Sequence, residues 1–248
     1  MLNRVFFLIF ASFFVSAQTL FDSNEIVFES ADVVAINSLE NFFELKNETL
    51  INGSFRYYNV LLGAISQVDV SNPIKIWVFY KDFQTAIQLD NTLNPIQKVV
   101  FFDAFISHIG DASADRLWRI NSDSNQLELY TVRTQKSIPL YAPFAEPIIG
   151  FASSQEFCWV QTSSALFLFN TYGSLLQKIP FEGKETLAFD GKVLLVENDL
   201  GWYSFTYNKD SSLQFLGLKN YLPQRLFPSG NYFYIYKGNQ VTKTKLPN

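Results

Sequence analysis

The sequence predicts an all-β fold: a β-propeller of about six four-stranded blades behind a cleavable leader. Three observations predict it. A short apolar strand with a bulky residue inside it recurs about every forty residues, the length of a four-strand blade. The composition favours strands, with 26 Phe, 12 Tyr and 4 Trp against 11 Gly, because aromatic and β-branched side chains suit pleated, half-buried surfaces. The first seventeen residues read as an export signal and stand apart from the repeat.

The leader is set aside first. Met1–Arg4 carries one positive charge, and Val5–Ala17 is an apolar run of thirteen residues. A membrane-spanning helix needs roughly 20 apolar residues, so the run fits the core of a signal peptide. Val15-Ser16-Ala17 supplies the small residues of a cleavage site and places the cut before Gln18. The expected organisation is a signal peptide over 1–17 and a single propeller over 18–248, exported to the periplasm or the cell surface, with no transmembrane segment in the mature chain. The formal charge is −4 for the whole chain, without runs of Lys or Arg. That balance argues against a nucleic-acid partner, which requires clustered cations. The single cysteine, Cys158, excludes an intramolecular disulfide. Its apolar surroundings, Phe157-Cys158-Trp159-Val160, suggest a buried structural thiol.

The repeat follows from its marker strands: Val33–Ile36, Ile76–Phe79, Leu117–Ile120, Cys158–Gln161, Val193–Val196 and Tyr232–Ile235. Between Val34, Trp77, Trp118, Trp159, Leu194 and Phe233 the intervals are 43, 41, 41, 35 and 39 residues. Blade two is the clearest copy, with strands expected at Ala64–Val70, Lys75–Tyr80, Gln84–Leu89 and Ile96–Phe102. Turn residues separate them, as in Ser71-Asn72-Pro73 and Asp90-Asn91-Thr92. The marker strands are apolar on both faces, as a strand covered on both sides must be. The three tryptophans are expected to fill equivalent spaces between successive blades.

The last copy ends after three strands, near Gln224–Phe227, Tyr232–Tyr236 and Val241–Leu246. The N-terminal strand of the mature chain is expected to supply the fourth and so close the ring, removing an open sheet edge; Gln18–Asp22 is the segment this assigns. Two stretches fit less well. Leu39, Phe42 and Phe43 have helical spacing, which leaves a short helix open over Ser38–Lys46. Ser54–Leu62 is too long for an outer strand and is expected to include a loop. An open solenoid or two small β-domains are the alternatives to a closed ring.

The stretch Gly53–Val99 carries a resemblance, in Phe55-Arg56-Tyr57, Leu62-Gly63, Val68–Lys75, Phe79–Phe83 and Leu89–Leu93. It resembles uncharacterised exported β-propeller proteins of bacteroidete-type bacteria. The resemblance implies a propeller fold and a periplasmic or surface address, and it implies no activity.

Candidate chemistry is sparse. His108, the only histidine, falls on the expected innermost strand of blade three. Its neighbour Ser107 invites a nucleophile–base reading, but adjacent strand residues are expected to point to opposite faces. Asp69, Asp111 and Asp190 fall near the ends of expected inner strands, as do Asp103 and Glu146, and are candidates to surround the central channel. Asp123 lies in Asn121–Asn125, whose alternating oxygens suggest calcium but lack the glycine and terminal glutamate of an EF-hand loop. No cofactor or metal is expected. The loops Tyr80–Phe83, Asn121–Asn125 and Asn198–Gly201 join second to third strands and are expected on one face of the ring. Two functions remain open: a non-catalytic binding or scaffold module whose partner is an envelope protein or glycan, or a hydrolase or lyase acting on an extracellular glycan through channel carboxylates.

Overall fold

The structure is a computed structural model that describes residues 25–30, 32–207, 212–216 and 225–245. The expected leader and the segment Gln18–Asp22 lie outside the described residues. Among the described residues twenty-four strands form six four-stranded antiparallel sheets.

Blade one is β2 (Val33–Ile36), β3 (Phe42–Lys46), β4 (Thr49–Asn52) and β5 (Phe55–Tyr57). Blade two is β6 (Gln67–Asp69), β7 (Ile76–Tyr80), β8 (Thr85–Leu89) and β9 (Pro95–Val100), with a single 3-10 turn at Lys81–Phe83. Blade three is β10 (Ile106–Ala112), β11 (Arg116–Asn121), β12 (Gln126–Thr131) and β13 (Lys136–Pro139). Blade four is β14 (Ile148–Ser153), β15 (Phe157–Thr162), β16 (Ala165–Asn170) and β17 (Leu175–Pro180). Blade five is β18 (Leu187–Phe189), β19 (Val193–Asn198), β20 (Gly201–Thr206) and β21 (Gln214–Phe215). Blade six is β22 (Arg225–Ser229), β23 (Tyr232–Lys237) and β24 (Gln240–Lys245), completed by β1 (Glu25–Glu29).

β1 pairs antiparallel with β24, so an N-terminal strand does close the ring. The closing strand is Glu25–Glu29, where the sequence had suggested Gln18–Asp22. The reason is a shift of one strand in blade one. Val33–Ile36, grouped with Ile76–Phe79 and the other marker strands that prove to be second strands, is the innermost one, and the second is Phe42–Lys46. Glu25–Glu29 has no place in blade one, whose four strands run from Val33 to Tyr57. Val27 and Phe28 pack on the closing seam, and Phe28 stacks on Phe42 with ring centroids 4.5 Å apart.

The helix left open over Ser38–Lys46 is also a strand. The Asn37 side chain accepts from the Leu39 and Asn41 amides, each at 3.0 Å, and builds a tight turn before β3. This local hydrogen bonding competes directly with a helical start. The long segment Ser54–Leu62 resolves into the short strand β5 and an extended connector.

Six buried apolar clusters hold the ring, one at each seam between neighbouring blades. In each, one position of the second strand matches from blade to blade and faces the next blade: Phe43, Trp77, Trp118, Trp159, Leu195 and Tyr234. The tryptophans are therefore equivalent, as expected, while Val34, Leu194 and Phe233 are not the positions that match them. Both faces of β7 are buried along its whole length, because each sheet is sandwiched by two others. Cys158 is buried in the same way, and burial pushes its thiol well above the ordinary range. Among the described residues no helix is long and apolar enough to cross a membrane.

Candidate functional site

The antiparallel meander fixes where function can sit. Strands alternate direction, so links between second and third strands gather on one end of the ring together with the connectors between blades. This end is the connector face. The turns joining first to second and third to fourth strands gather on the opposite, turn face.

The innermost strands surround an axial cavity of about 350 Å³, lined from blades one, two, four, five and six. Blade three is missing from the wall because blade two is stitched directly to its inner strand. Gln67 Nε2 donates to the Ile109 carbonyl at 2.6 Å, and the Ile109 amide donates to Gln67 Oε1 at 3.1 Å. Two residues further along both strands, the Asp111 amide donates to Asp69 Oδ2. Blade four then approaches β10 so closely that a Cβ on Gly110 would fall on the Ser153 hydroxyl. Only glycine permits that approach.

Of the acids expected at the channel, Asp69 and Asp190 line the cavity. Asp69 also accepts from the Ser71 amide at 2.9 Å, and burial drives its carboxyl above the usual range. Asp190 accepts from the amides of Lys192 and Val193 within its own turn, and from Gly230 of blade six at 2.8 Å. Both carboxylates are occupied in tying one blade to the next.

Asp111 is absent from the cavity wall. It is fully buried and gathers Lys75 (2.6 Å), the Trp77 indole (3.1 Å) and Asn72 (3.1 Å) from blade two, with Gln155 of blade four at 3.3 Å. The donor set neutralises and saturates the carboxylate, as a buried charge requires. Asp123 is exposed on the connector face, where it accepts from the Phe105 amide at 2.8 Å and pins the connector to its own blade. Among the described residues no group of three or more His, Cys, Asp or Glu is placed to hold a metal ion.

His108 is half-buried on β10, with its ring 5.8 Å from that of Phe151. Burial, helped by the Lys81 ammonium, lowers its pKa to about 4. Strict alternation had separated it from Ser107, yet Nδ1 lies 3.1 Å from the Ser107 hydroxyl. A bulge in the β10–β11 ladder between Ile106 and His108 interrupts the alternation. No carboxylate orients the imidazole among the described residues, so the third group of a catalytic triad is lacking there.

Two features escaped the sequence reading. Arg119, inside an apolar marker strand, is buried. Its Nε donates to Glu128 at 2.7 Å, and its terminal nitrogens donate to both Asp103 oxygens at 3.0 and 2.6 Å. It also stacks over Tyr130 at 4.7 Å. Arg119 in turn holds the Asp103 carboxyl below its usual range. Glu146, another expected channel acid, instead accepts from Ser163 and Ser164 in the blade-four loop.

The second feature is a set of exposed apolar side chains carried by the loops and connectors of the connector face: Tyr58, Val60, Leu61, Phe83, Phe102 and Phe105. Val60 and Leu61 are each 80% exposed and Phe102 is 89% exposed. These side chains sit on well-pinned backbone. The connector after β5 meets the blade-two loop where the Lys81 amide donates to Ser66 Oγ at 3.0 Å, and Gly63 lies beside the Phe83 ring. The Phe101 amide donates to the Gln84 carbonyl at 2.9 Å, and Lys81 lies over the Phe105 ring at 5.8 Å. The triplet Val60-Leu61-Leu62 was the available signal, since it places apolar residues beyond an outer strand of ordinary length; Phe101-Phe102 gave none, because both were assigned to the expected strand Ile96–Phe102, which ends at Val100.

No family model matches the chain, and no curated protein matches it. Among solved structures the chain is similar to virginiamycin B lyase from Staphylococcus aureus, with a TM-score of 0.59 and 13% identity over 88% of this chain and 81% of that one. It is also similar to the WD40 domain of Neurospora crassa Pan2, with a TM-score of 0.56 and 9% identity over 88% and 75% of the two chains. A third is the β-propeller domain of Cps50 (Swd1) from Myceliophteria thermophila, with a TM-score of 0.54 and 12% identity over 92% and 90%. At these identities the likeness establishes the β-propeller fold alone.

Proposed function

We propose that the protein is a non-catalytic binding or scaffold module, exported behind the 1–17 leader, whose partner is an envelope protein that docks on the connector face. The observation that carries this reading is the apolar cluster of Tyr58, Val60, Leu61, Phe83, Phe102 and Phe105. Exposed apolar side chains gathered on one end of the ring and carried on pinned backbone are the physical mark of an interaction site. The cell-envelope address rests on the short apolar run Val5–Ala17 and on the resemblance of Gly53–Val99.

The engagement of the channel carboxylates supports binding over catalysis. A general acid or base needs a carboxylate free to exchange a proton with substrate, whereas Asp69 and Asp190 each accept at least two backbone N–H groups. The alternative, a hydrolase or lyase acting on an extracellular glycan, draws on the axial cavity and on the upward-shifted carboxyl of Asp69.

Affinity recovery from the native envelope tests the docking reading. The wild-type protein is expected to retain a stoichiometric protein partner, and the double variant Leu61→Asp, Phe102→Asp to lose it at least tenfold with an unchanged melting temperature. Turnover of a polysaccharide panel with no retained protein would overturn the proposal.

A further inference from the structure

Lys81 stands where the loops that carry the exposed apolar side chains meet. Its amide donates to Ser66 Oγ at 3.0 Å, at the end of the connector that bears Tyr58, Val60 and Leu61. The 3-10 turn Lys81–Phe83 sets the Phe83 ring beside Gly63 of that same connector. Its Nζ lies over the Phe105 ring at 5.8 Å, at the end of the connector that bears Phe102.

The backbone at this junction is fixed. The Lys81 carbonyl accepts from the Gln84 amide at 3.1 Å and from Gln84 Nε2 at 2.7 Å, and the Gln84 side chain is bonded in turn to Ile106 of blade three. Lys81 is half-buried, yet its ammonium is in no ion pair among the described residues. Of the acids on the surrounding loops, Asp103 is held by Arg119 and Asp123 by the Phe105 amide, while Asp82 is exposed to water.

A partner that covers Phe102 and Phe105 takes water away from this ammonium. A charge removed from water has to be paired, and no carboxylate of the described residues lies within ion-pair distance. The exposed side chains call for an apolar partner, and the ammonium calls for an acid within it. A basic surface, or an apolar one without an acid, would leave Lys81 covered and unpaired, so the same group selects against both.

We infer, resting on the docking reading above, that the protein docked on the connector face presents an Asp or Glu carboxylate within an apolar surface, and that this carboxylate pairs with Lys81 over the Phe105 ring. The test uses the full chain and the protein it retains from the native envelope. Affinity is measured for the wild type, Lys81→Arg, Lys81→Met and Lys81→Glu. The retained complex is then treated with a carbodiimide, which joins a lysine amine to a carboxylate in direct contact with it, and the products are mapped by mass spectrometry. The expected result is an amide crosslink between Lys81 and an Asp or Glu of the partner. Affinity should fall roughly tenfold in Lys81→Met and further in Lys81→Glu, hold in Lys81→Arg, and change without a shift in melting temperature. Equal affinity in the wild type and Lys81→Met, with no crosslink at Lys81, would overturn the inference and leave the docking reading standing. Failure of the wild type to retain any protein would overturn both.

Discussion

The two ends of the ring are built for different tasks. On the turn face, carboxylates reach across seams: Asp111 gathers donors from blades two and four, Asp69 takes an amide from blade three, and Asp190 takes one from blade six. Large exposed apolar residues there, Leu39, Ile74 and Tyr172, belong to three different blades, and such single exposures need no explanation. On the connector face the side-chain amides of Gln84 and Asn125 also reach the next blade, at Ile106 and Ile148, but the carboxylates act more locally. Asp103 holds Arg119, Asp123 holds Phe105, and Glu146 holds the Ser163-Ser164 loop. That pinned surface carries six apolar side chains in the sector of blades one to three. One face joins blades through its carboxylates, and the other presents apolar surface on a fixed support.

Lesions on the turn face should therefore unfold the protein, and lesions in the apolar cluster should leave it folded. The largest expected effect is from Asp111→Ala. It strands Lys75, the Trp77 indole and two amides around a buried site, and should cost about 3–5 kcal/mol in a urea unfolding series. Tryptophan pairs sharpen the comparison. Trp77 donates to Asp111, whereas the Trp159 indole nitrogen has no partner among the described residues. Trp77→Phe should then cost about 1.5–3 kcal/mol more than Trp159→Phe, the worth of a hydrogen bond to a charged group.

A smaller effect, of up to about 3 kcal/mol, is expected from His108. Its folded pKa of about 4 lies below the ordinary 6.5. The unfolded chain takes up the proton first as pH falls, so stability should drop between pH 6.5 and 4 and level off below. His108→Gln should flatten that slope in melting curves recorded across the window. An unchanged slope would show that the imidazole is hydrated and not desolvated. The smallest effect, within about 0.5 kcal/mol, is expected for Leu61→Asp, Phe102→Asp, because both side chains already face water.

Blades two to four were legible in the sequence because Trp77, Trp118 and Trp159 set a register and polar turns punctuated it. The strand limits expected for blade two lie within a few residues of those observed. Blade one was not, because Phe43 replaces the tryptophan and its strand carries Glu44 and Lys46. Leu39, Phe42 and Phe43 also mimic a helical face, and the Asn37 turn that prevents the helix depends on side-chain hydrogen bonding. The closing strand was legible as a need and misplaced as a segment, since its identity depended on the register of blade one.

The candidate site was legible in position more than in role. Asp69 and Asp190 do reach the axis, but the amides they accept, from Asp111 and Gly230, lie 42 and 40 residues away. Local pattern cannot show such partners. The bulge that brings Ser107 to His108 is equally invisible to a rule of alternation, and the buried charge of Arg119 has no local signal in an apolar strand.

Site-directed photocrosslinking in the native envelope compares the two faces most directly. A benzoylphenylalanine replaces Phe102 on the connector face in one protein and Tyr172, 90% exposed on the turn face, in another. The account predicts a discrete protein adduct from position 102 and none from position 172. Adducts of equal yield from both positions, or from position 172 alone, would contradict it.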